Sequence, residues 1–309
     1  MESIKVFSPG SITNLSCGYD ILGVCLESRG DEITVSKTNK RGVSIKSISG
    51  FDLTKDINEN VSGIAAQALL SKISINHGFE IEINKGIKPG SGIGSSAASS
   101  AGTVFAINQL LDSPFSLLDL VKFSMEGENF VSGAYHADNV APIIFGGITL
   151  VRTIKDLDII PLPTPKDLEV VIIRPNIEIK TADSRKVVKK KVKIEKMTQQ
   201  SANLGSFVSS LYSEDYDLMS RSVIDQVVEP DRAVLIPEFD NIKRISKNSG
   251  SIAVGISGSG PSIFSLSNNR ITSNKVLNSI SEYYSSMNID HDVFISKVNN
   301  DGIKIIETK

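Results

Sequence analysis

Apolar and polar positions alternate or recur in stretches that name their own elements. Ile4-Lys5-Val6, Ile33-Thr34-Val35-Ser36 and Val43-Ser44-Ile45 alternate with a period of two, which predicts strands across residues 1–48. The intervening Pro9–Asp20 is rich in small polar residues and is predicted as a turn. Val61, Ile64, Ala65, Ala68 and Leu69 fall at helical spacing within 60–72, behind an Asn-Val-Ser start. Phe79-Glu80-Ile81-Glu82-Ile83 alternates strictly and is the clearest strand. A small-residue helix is predicted from Ala97 to Leu111, stopped by Asp112-Ser113-Pro114, and a second from Ser116 to Glu126.

Beyond it, Pro161, Pro163 and Pro165 exclude helix and mark a predicted boundary, dividing the chain into 1–160 and 161–309. Val170-Val171-Ile172-Ile173 is a buried-strand run. Helices are predicted over 197–221, 241–248 and 276–287, and strands over 251–254, 262–266 and 292–298. The result is an α+β protein in two halves, without an internal repeat.

Composition narrows the function. The 309 residues carry a formal charge of −2, which lacks the electrostatic footprint of a general nucleic-acid binder. Two cysteines and three histidines match no structural zinc spacing and no disulfide framework. No apolar run reaches membrane-spanning length, so the expectation is a soluble, cytoplasmic protein with no membrane partner. The basic run from Arg185 to Lys196 reads as a solvated helix face, with a nucleic-acid or membrane patch as the alternative.

The main chemical signal is Lys88-Pro89-Gly90-Ser91-Gly92-Ile93-Gly94-Ser95-Ser96-Ala97-Ala98, set between a strand and a helix. Glycines let backbone approach a phosphate, and a helix start offers free N–H groups and positive dipole. The serines can cap that helix or hold a Mg²⁺ ion bridging phosphates. The stretch is not a P-loop, because no lysine follows the glycines, nor a dinucleotide fingerprint, because the third glycine comes one residue early. A second cluster, Gly255–Ser262, reads on its own as a tight hairpin and does not spell a nucleophile elbow.

Residues 126–139 gather Glu126, Glu128, His136, Asp138 and Asn139 beside glycines, a polar density that suggests a site lining where a carboxylate holds Mg²⁺. Arg185 and Arg232 each follow a turn signal, and a pair of guanidinium forks suits a carboxylate.

Together these motifs resemble the superfamily of galactokinases, homoserine kinases, mevalonate kinases and phosphomevalonate kinases (GHMP). Pro9–Gly23, Pro89–Ser99 and Ile256–Ser262 are similar to its three motifs, in the right order. Ser132-Gly133-x-x-His136-Ala137-Asp138-Asn139-Val140-Ala141-Pro142 and Asp225-x-x-x-Glu229-Pro230-x-Arg232 resemble the homoserine kinase branch. Ile93 stands where leucine is commoner, and Ser16-Cys17 where small residues or proline are usual.

The resemblance implies a two-domain GHMP-kinase fold, with a ribosomal-S5-like N-terminal domain containing a left-handed crossover and a ferredoxin-like C-terminal domain. It implies ATP-dependent phosphorylation of the L-homoserine hydroxyl in threonine biosynthesis, with Mg²⁺, by a homodimer. Position by position, Lys88 to Ala98 would wrap the triphosphate, Asn60 would lie on the adenine side, and Ser96 with Glu128 would hold the metal. Asn14, Asp20, His136, Asp138, Asn139, Arg185, Arg232 and Gly258 would contact homoserine. Asn139 and Thr181 would orient the reacting groups, and Asp20 or Asp138 would be the base if a carboxylate acts as one. The competing readings are a mevalonate or sugar kinase and a catalytically silent binder on the same fold.

Overall fold

The computed structural model describes residues 1–179 and 181–309, without the side chains of Thr181 and Ala182. The first sheet is built from β1 (Ser3–Asn14), β2 (Gly18–Thr38), β3 (Gly42–Ser49) and β4 (Gly78–Asn84). Helices α1 (Val61–Leu70), α2 (Ser95–Leu110), α3 (Leu117–Ser132) and α4 (Val140–Phe145) accompany it, followed by β5 (Ile148–Thr153) and β6 (Asp158–Leu162). The second half runs β7 (Glu169–Pro175), α5 (Thr181–Lys186), α6 (Ile194–Ser213), α7 (Tyr216–Ser222), α8 (Glu229–Arg232) and α9 (Phe239–Asn248). It continues with β8 (Ala253–Ile256), β9 (Ile263–Ser267), α10 (Arg270–Ser286), β10 (His291–Lys297) and β11 (Lys304–Thr308).

Seven strands form the first sheet in the order β11-β1-β2-β4-β3, with β5 on β2 and β6 on β5. Only β3 and β4 pair in parallel there, joined across α1, whose N-cap Asn60 accepts from Ser62 N at 2.9 Å. Strand β2 is long enough to serve two neighbours: Leu22–Val24 pair with β5, and Glu32–Thr38 pair with β4. The second sheet has the order β10-β7-β9-β8, all antiparallel. With helices between β7 and β8 and between β9 and β10, it follows the split β-α-β-β-α-β topology of ferredoxin-like folds.

The continuous apolar run of β7 has a two-sided cause. Val170 and Ile172 enter the core shared with the first sheet, whereas Val171 and Ile173 enter a second core against α9 and α10. A strand covered on both faces has no polar side to alternate with.

Three local expectations change. Pro9–Asp20 is not a free turn, because Ser11, Ile12 and Thr13 pair with Cys25, Val24 and Gly23, leaving the tight connection at Leu15–Cys17. Small polar side chains there (Ser8, Ser11, Thr13) are buried against the sheet's neighbours and do not mark a surface loop. The helix predicted over 197–221 breaks at Glu214, which is left-handed, and Asp215 caps the next helix by accepting from Leu218 N at 2.8 Å. The basic run is not a helix face: residues 187–193 lie between α5 and α6, with Lys189 N on Asp231, while Arg185 turns inward. β11 escapes the pattern because all its residues are exposed on a sheet edge, where nothing enforces alternation. Proline 161 lies within β6, so the chain leaves the first sheet after Leu162 and returns to it with β11. Among the described residues no helix is long and apolar enough to cross a membrane.

The first sheet meets α2 through a buried ion pair. Lys85 Nζ lies 2.5 Å from Asp31 Oδ2 and donates to Ser95 O and Ser99 Oγ, both at 2.9 Å. The other Asp31 oxygen accepts from Gly86 N (3.1 Å) and Ile87 N (3.3 Å). Burial pulls the Lys85 ammonium below its usual pKa, opposed by Asp31. Removing one partner strands the other charge, so Asp31→Asn should cost about 3–5 kcal/mol in urea unfolding. The double variant with Lys85→Met should cost less than the two single changes added together.

Candidate active site

The loop after β4 owes its shape to residues on both sheets. Gly90, Gly92 and Gly94 all have left-handed φ, and Gly94 opens α2 at φ 70°. A side chain on Gly92 would meet Gly260 O at 2.6 Å, so the loop packs directly on the second glycine cluster. That cluster is the predicted β8–β9 hairpin turn, and its hydroxyls hold the loop. Ser257 Oγ donates to Gly92 O and Ser262 Oγ to Ser91 O, each at 2.6 Å. With those carbonyls engaged, the loop and the first residues of α2, whose N-terminal N–H groups suit an anion, line a cleft of about 510 Å³.

Pro89, Gly90, Ser91, Gly92, Gly94, Ser95 and Ser96 line this cleft. Ile93, Ala97 and Ala98 do not; their side chains fill the core beneath. Lys88 also stays outside the lining, its ammonium donating to Asn176 Oδ1. The Ser95 hydroxyl is spent on Ile87 O at 2.9 Å, which leaves Ser96 to face Glu128. Small residues bring α2 close to the sheet, where a side chain on Gly102 would strike Ile33 and Ser8. Asn60 lines the opposite wall beside Leu53 and Thr54, with its amide committed to Thr54 O (2.8 Å) and to the α1 cap.

Two acids sit deep in the cleft. Burial drives the Glu128 carboxyl up to about 7, offset partly by the Ser96 hydroxyl and reinforced by Asp138. Its Oε1 is shielded from water and has no hydrogen-bond partner among the described residues. Burial likewise drives Asp138 up to about 7, with the charge of Asp20 adding to the effect. One orphaned carboxylate oxygen with a neighbouring hydroxyl is a donor set that fits Mg²⁺ shared with phosphates. No cluster of three or more His, Cys, Asp or Glu that could hold a metal by itself occurs among the described residues.

The far end gathers both arginines. Arg232 is 3% exposed, and among the described residues its guanidinium has only neutral acceptors: Ser184 O (3.1 Å), Gly258 O (3.0 Å) and Tyr19 Oη (3.3 Å). Burial lowers its pKa, and no carboxylate lies within ion-pair distance of it among the described residues. Arg185 is paired, donating to Asp20 Oδ1 at 3.1 Å and Oδ2 at 3.3 Å. His136 Nδ1 lies 3.9 Å from the same carboxylate, and burial lowers the pKa of the ring.

Asp20 is aimed by strained backbone. Asn14, Leu15, Ser16 and Asp20 all have positive φ, and Asn14 accepts from Asp20 N (3.0 Å) while donating to Gly258 O (2.8 Å). Asn139, at the start of α4, accepts from the buried Ser11 hydroxyl at 3.0 Å and lines the cleft beside Asp138. All the predicted substrate contacts therefore converge on one cavity. The side chain of Thr181 lies outside the described residues.

Sequence reasoning missed Lys85, Tyr19, Ser11, Ser257 and Ser262 as builders of the site. Lys85 follows the clearest strand and looks like an ordinary surface cation. The serines stood inside quoted motifs, but only the packing of one glycine cluster on the other gives their hydroxyls a partner.

Known proteins resemble this chain over most of its length. The family models for the GHMP kinases N terminal domain and GHMP kinases C terminal match residues 60–147 and 207–286. A homoserine kinase of Chlorobium phaeobacteroides (strain BS1) is 35% identical over 99% of this chain and 100% of its own. One from Methanococcus maripaludis is 41% identical over 86% of this chain and 88% of its own. The crystal structure of homoserine kinase from Cytophaga hutchinsonii superposes with a TM-score of 0.95, at 42% identity over 99% of this chain and 98% of that one. Mevalonate kinase from L. major, at 13% identity and a TM-score of 0.72 over 95% of this chain and 96% of that one, shares the fold alone. With both halves matched and relatives of this identity spanning nearly the whole chain, the protein belongs to the GHMP kinase family, among the homoserine kinases.

Proposed function

We propose that this protein transfers the γ-phosphoryl group of ATP to the side-chain hydroxyl of L-homoserine. The observation that carries the reading is Arg232, a buried guanidinium facing the cleft with neutral acceptors only. Such a cation lacks a counter-ion, and the carboxylate of an amino-acid substrate supplies one. Asp20 and Asp138 on the same cavity suit the ammonium, so the cleft matches a zwitterion at one end and a triphosphate at the other.

The glycine loop and the start of α2 hold the phosphates of ATP through backbone N–H groups. Ser96 and Glu128 are the residues that would hold Mg²⁺, which would supply charge neutralisation on the phosphates. The homoserine oxygen attacks the γ-phosphorus as the bridging P–O bond to ADP breaks, and the hydroxyl proton leaves with the phosphate oxygens. Asn139, its amide oxygen fixed by Ser11, orients the reacting hydroxyl. Asp20 is engaged through both oxygens by Arg185 and is assigned to the ammonium rather than to proton abstraction. Catalysis on this reading rests on positioning and electrostatics, as phosphoryl transfer allows. The reading extends to a homodimer in the cytoplasm, whose reducing conditions suit the two buried, free cysteines.

ADP release measured with ATP, Mg²⁺ and either L-homoserine, mevalonate or galactose tests the assignment. Only L-homoserine should support turnover; release with mevalonate or galactose instead would overturn the substrate. In the same assay, Arg232→Ala should raise the homoserine KM about a hundredfold, the loss of roughly 3 kcal/mol of charge-assisted hydrogen bonding. The KM for ATP should stay within about twofold, because Arg232 is remote in chemistry from the phosphate loop.

Glu128→Gln should separate stability from activity. The folded-state carboxyl titrates near 7 and the unfolded one near 4.5, so the folded protein loses relative stability as pH rises through that window. Without ligands, the glutamine variant should therefore melt above the native protein at pH 8, with the difference closing toward pH 5. Its turnover with ATP and Mg²⁺ should fall by about two orders of magnitude or more.

A further inference from the structure

Two guanidinium groups share the homoserine end of the cleft, and like charges held close repel. Asp20 balances Arg185, yet nothing of opposite charge is paired with Arg232 among the described residues. The group that stands between them is neutral. Tyr19 Oη accepts from Arg185 Nη1 at 3.2 Å and from Arg232 Nη2 at 3.3 Å. The Tyr19 ring also lies under Arg232, with the guanidinium carbon 5.0 Å from its centroid. Burial raises the phenol pKa, and the charge of Asp20 adds to this, so the group stays un-ionised and presents lone pairs to both donors. Tyr19 is half-buried and does not itself line the cavity.

We propose that the Tyr19 hydroxyl is a positioning residue that sets the spacing of the two arginines and so tunes the site for substrates carrying a carboxylate; this rests on the homoserine kinase reading above. A single oxygen bridging one nitrogen of each guanidinium fixes where their remaining N–H groups point. The fork thereby stands preformed before substrate arrives, and less ordering remains to be done on binding. Phenylalanine at this position would keep the ring beneath Arg232 but release both donors from their common acceptor.

The test compares native protein with Tyr19→Phe and Tyr19→Leu, following ADP release against L-homoserine and ATP. A second ligand, 3-amino-1-propanol, has the ammonium and hydroxyl but no carboxylate, and is measured as a competitor of homoserine. Tyr19→Phe should raise the homoserine KM about tenfold with kcat within about threefold, and leave the ATP KM and the Ki of the amino alcohol unchanged. Tyr19→Leu, which also removes the ring, should raise the homoserine KM further. An unchanged homoserine KM in Tyr19→Phe overturns the proposal. So does a parallel rise in KM and in the amino-alcohol Ki, which would mark a general packing role. If native protein releases no ADP with homoserine, the kinase assignment itself fails and takes this proposal with it, an outcome visible before any variant is made.

Discussion

Two serine hydroxyls from the β8–β9 turn of the second sheet donate to two carbonyls of the loop that follows β4 of the first, and the proposed chemistry of the site depends on that contact. Gly92 and Ser91 are held at 2.6 Å by Ser257 and Ser262. A glycine loop gains its closeness to phosphate from conformational freedom, and the same freedom leaves it without a fixed shape. Fixing two of its carbonyls resolves this conflict: Ser91 O and Gly92 O are engaged by the second sheet's turn while the loop and the start of α2 line the cleft. Below the loop, the Lys85–Asp31 pair ties Ser95 and Ser99 to the sheet, so the α2 N-terminus is anchored from the other side. Neither half of the chain contains a finished nucleotide site.

The cleft is then ordered by charge along its length. The glycine loop, α2 and α3 contribute small residues and the shielded Glu128 to its lining, and α5 and α8 contribute the guanidinium groups. Between them lie Asp138 and Asn139, next to the strained segment that aims Asp20. Strain and buried acids both cost stability, and they concentrate where ligands will supply compensating charge. Among the described residues, Arg232 is buried without a carboxylate partner and Glu128 Oε1 without a hydrogen bond, and on the proposed reading both are compensated when substrates bind.

Much of this was legible in the chain. The period-two segments gave the long strands, and Lys88–Ala98 gave the anion loop, because strand, glycines and helix start occur in sequence. The arginines and Asp138 stood out as candidates from the turn signals and polar density around them, but their roles came through the resemblance to homoserine kinases, since a lone Arg in sequence carries no sign of burial. What stayed hidden was tertiary in origin. Lys85 is functional because Asp31 lies opposite it across the sheet, 54 residues away, and no local pattern encodes that pairing. Tyr19 sat within a recognised motif without a role, because its two partners come from residues more than 160 positions along. Pro9–Asp20 misled for the opposite reason: small polar residues signal turns, and here they are buried in a strand beside the site.

The composite nature of the nucleotide site is tested most directly by ATP binding to a Ser257→Ala, Ser262→Ala double variant, followed by calorimetry with Mg²⁺ present. Losing two hydrogen bonds of about 1 kcal/mol each should weaken ATP by roughly thirtyfold while urea stability falls by no more than about 2 kcal/mol. ATP affinity equal to that of the native protein would contradict the account, because the loop would then hold its shape without the second sheet.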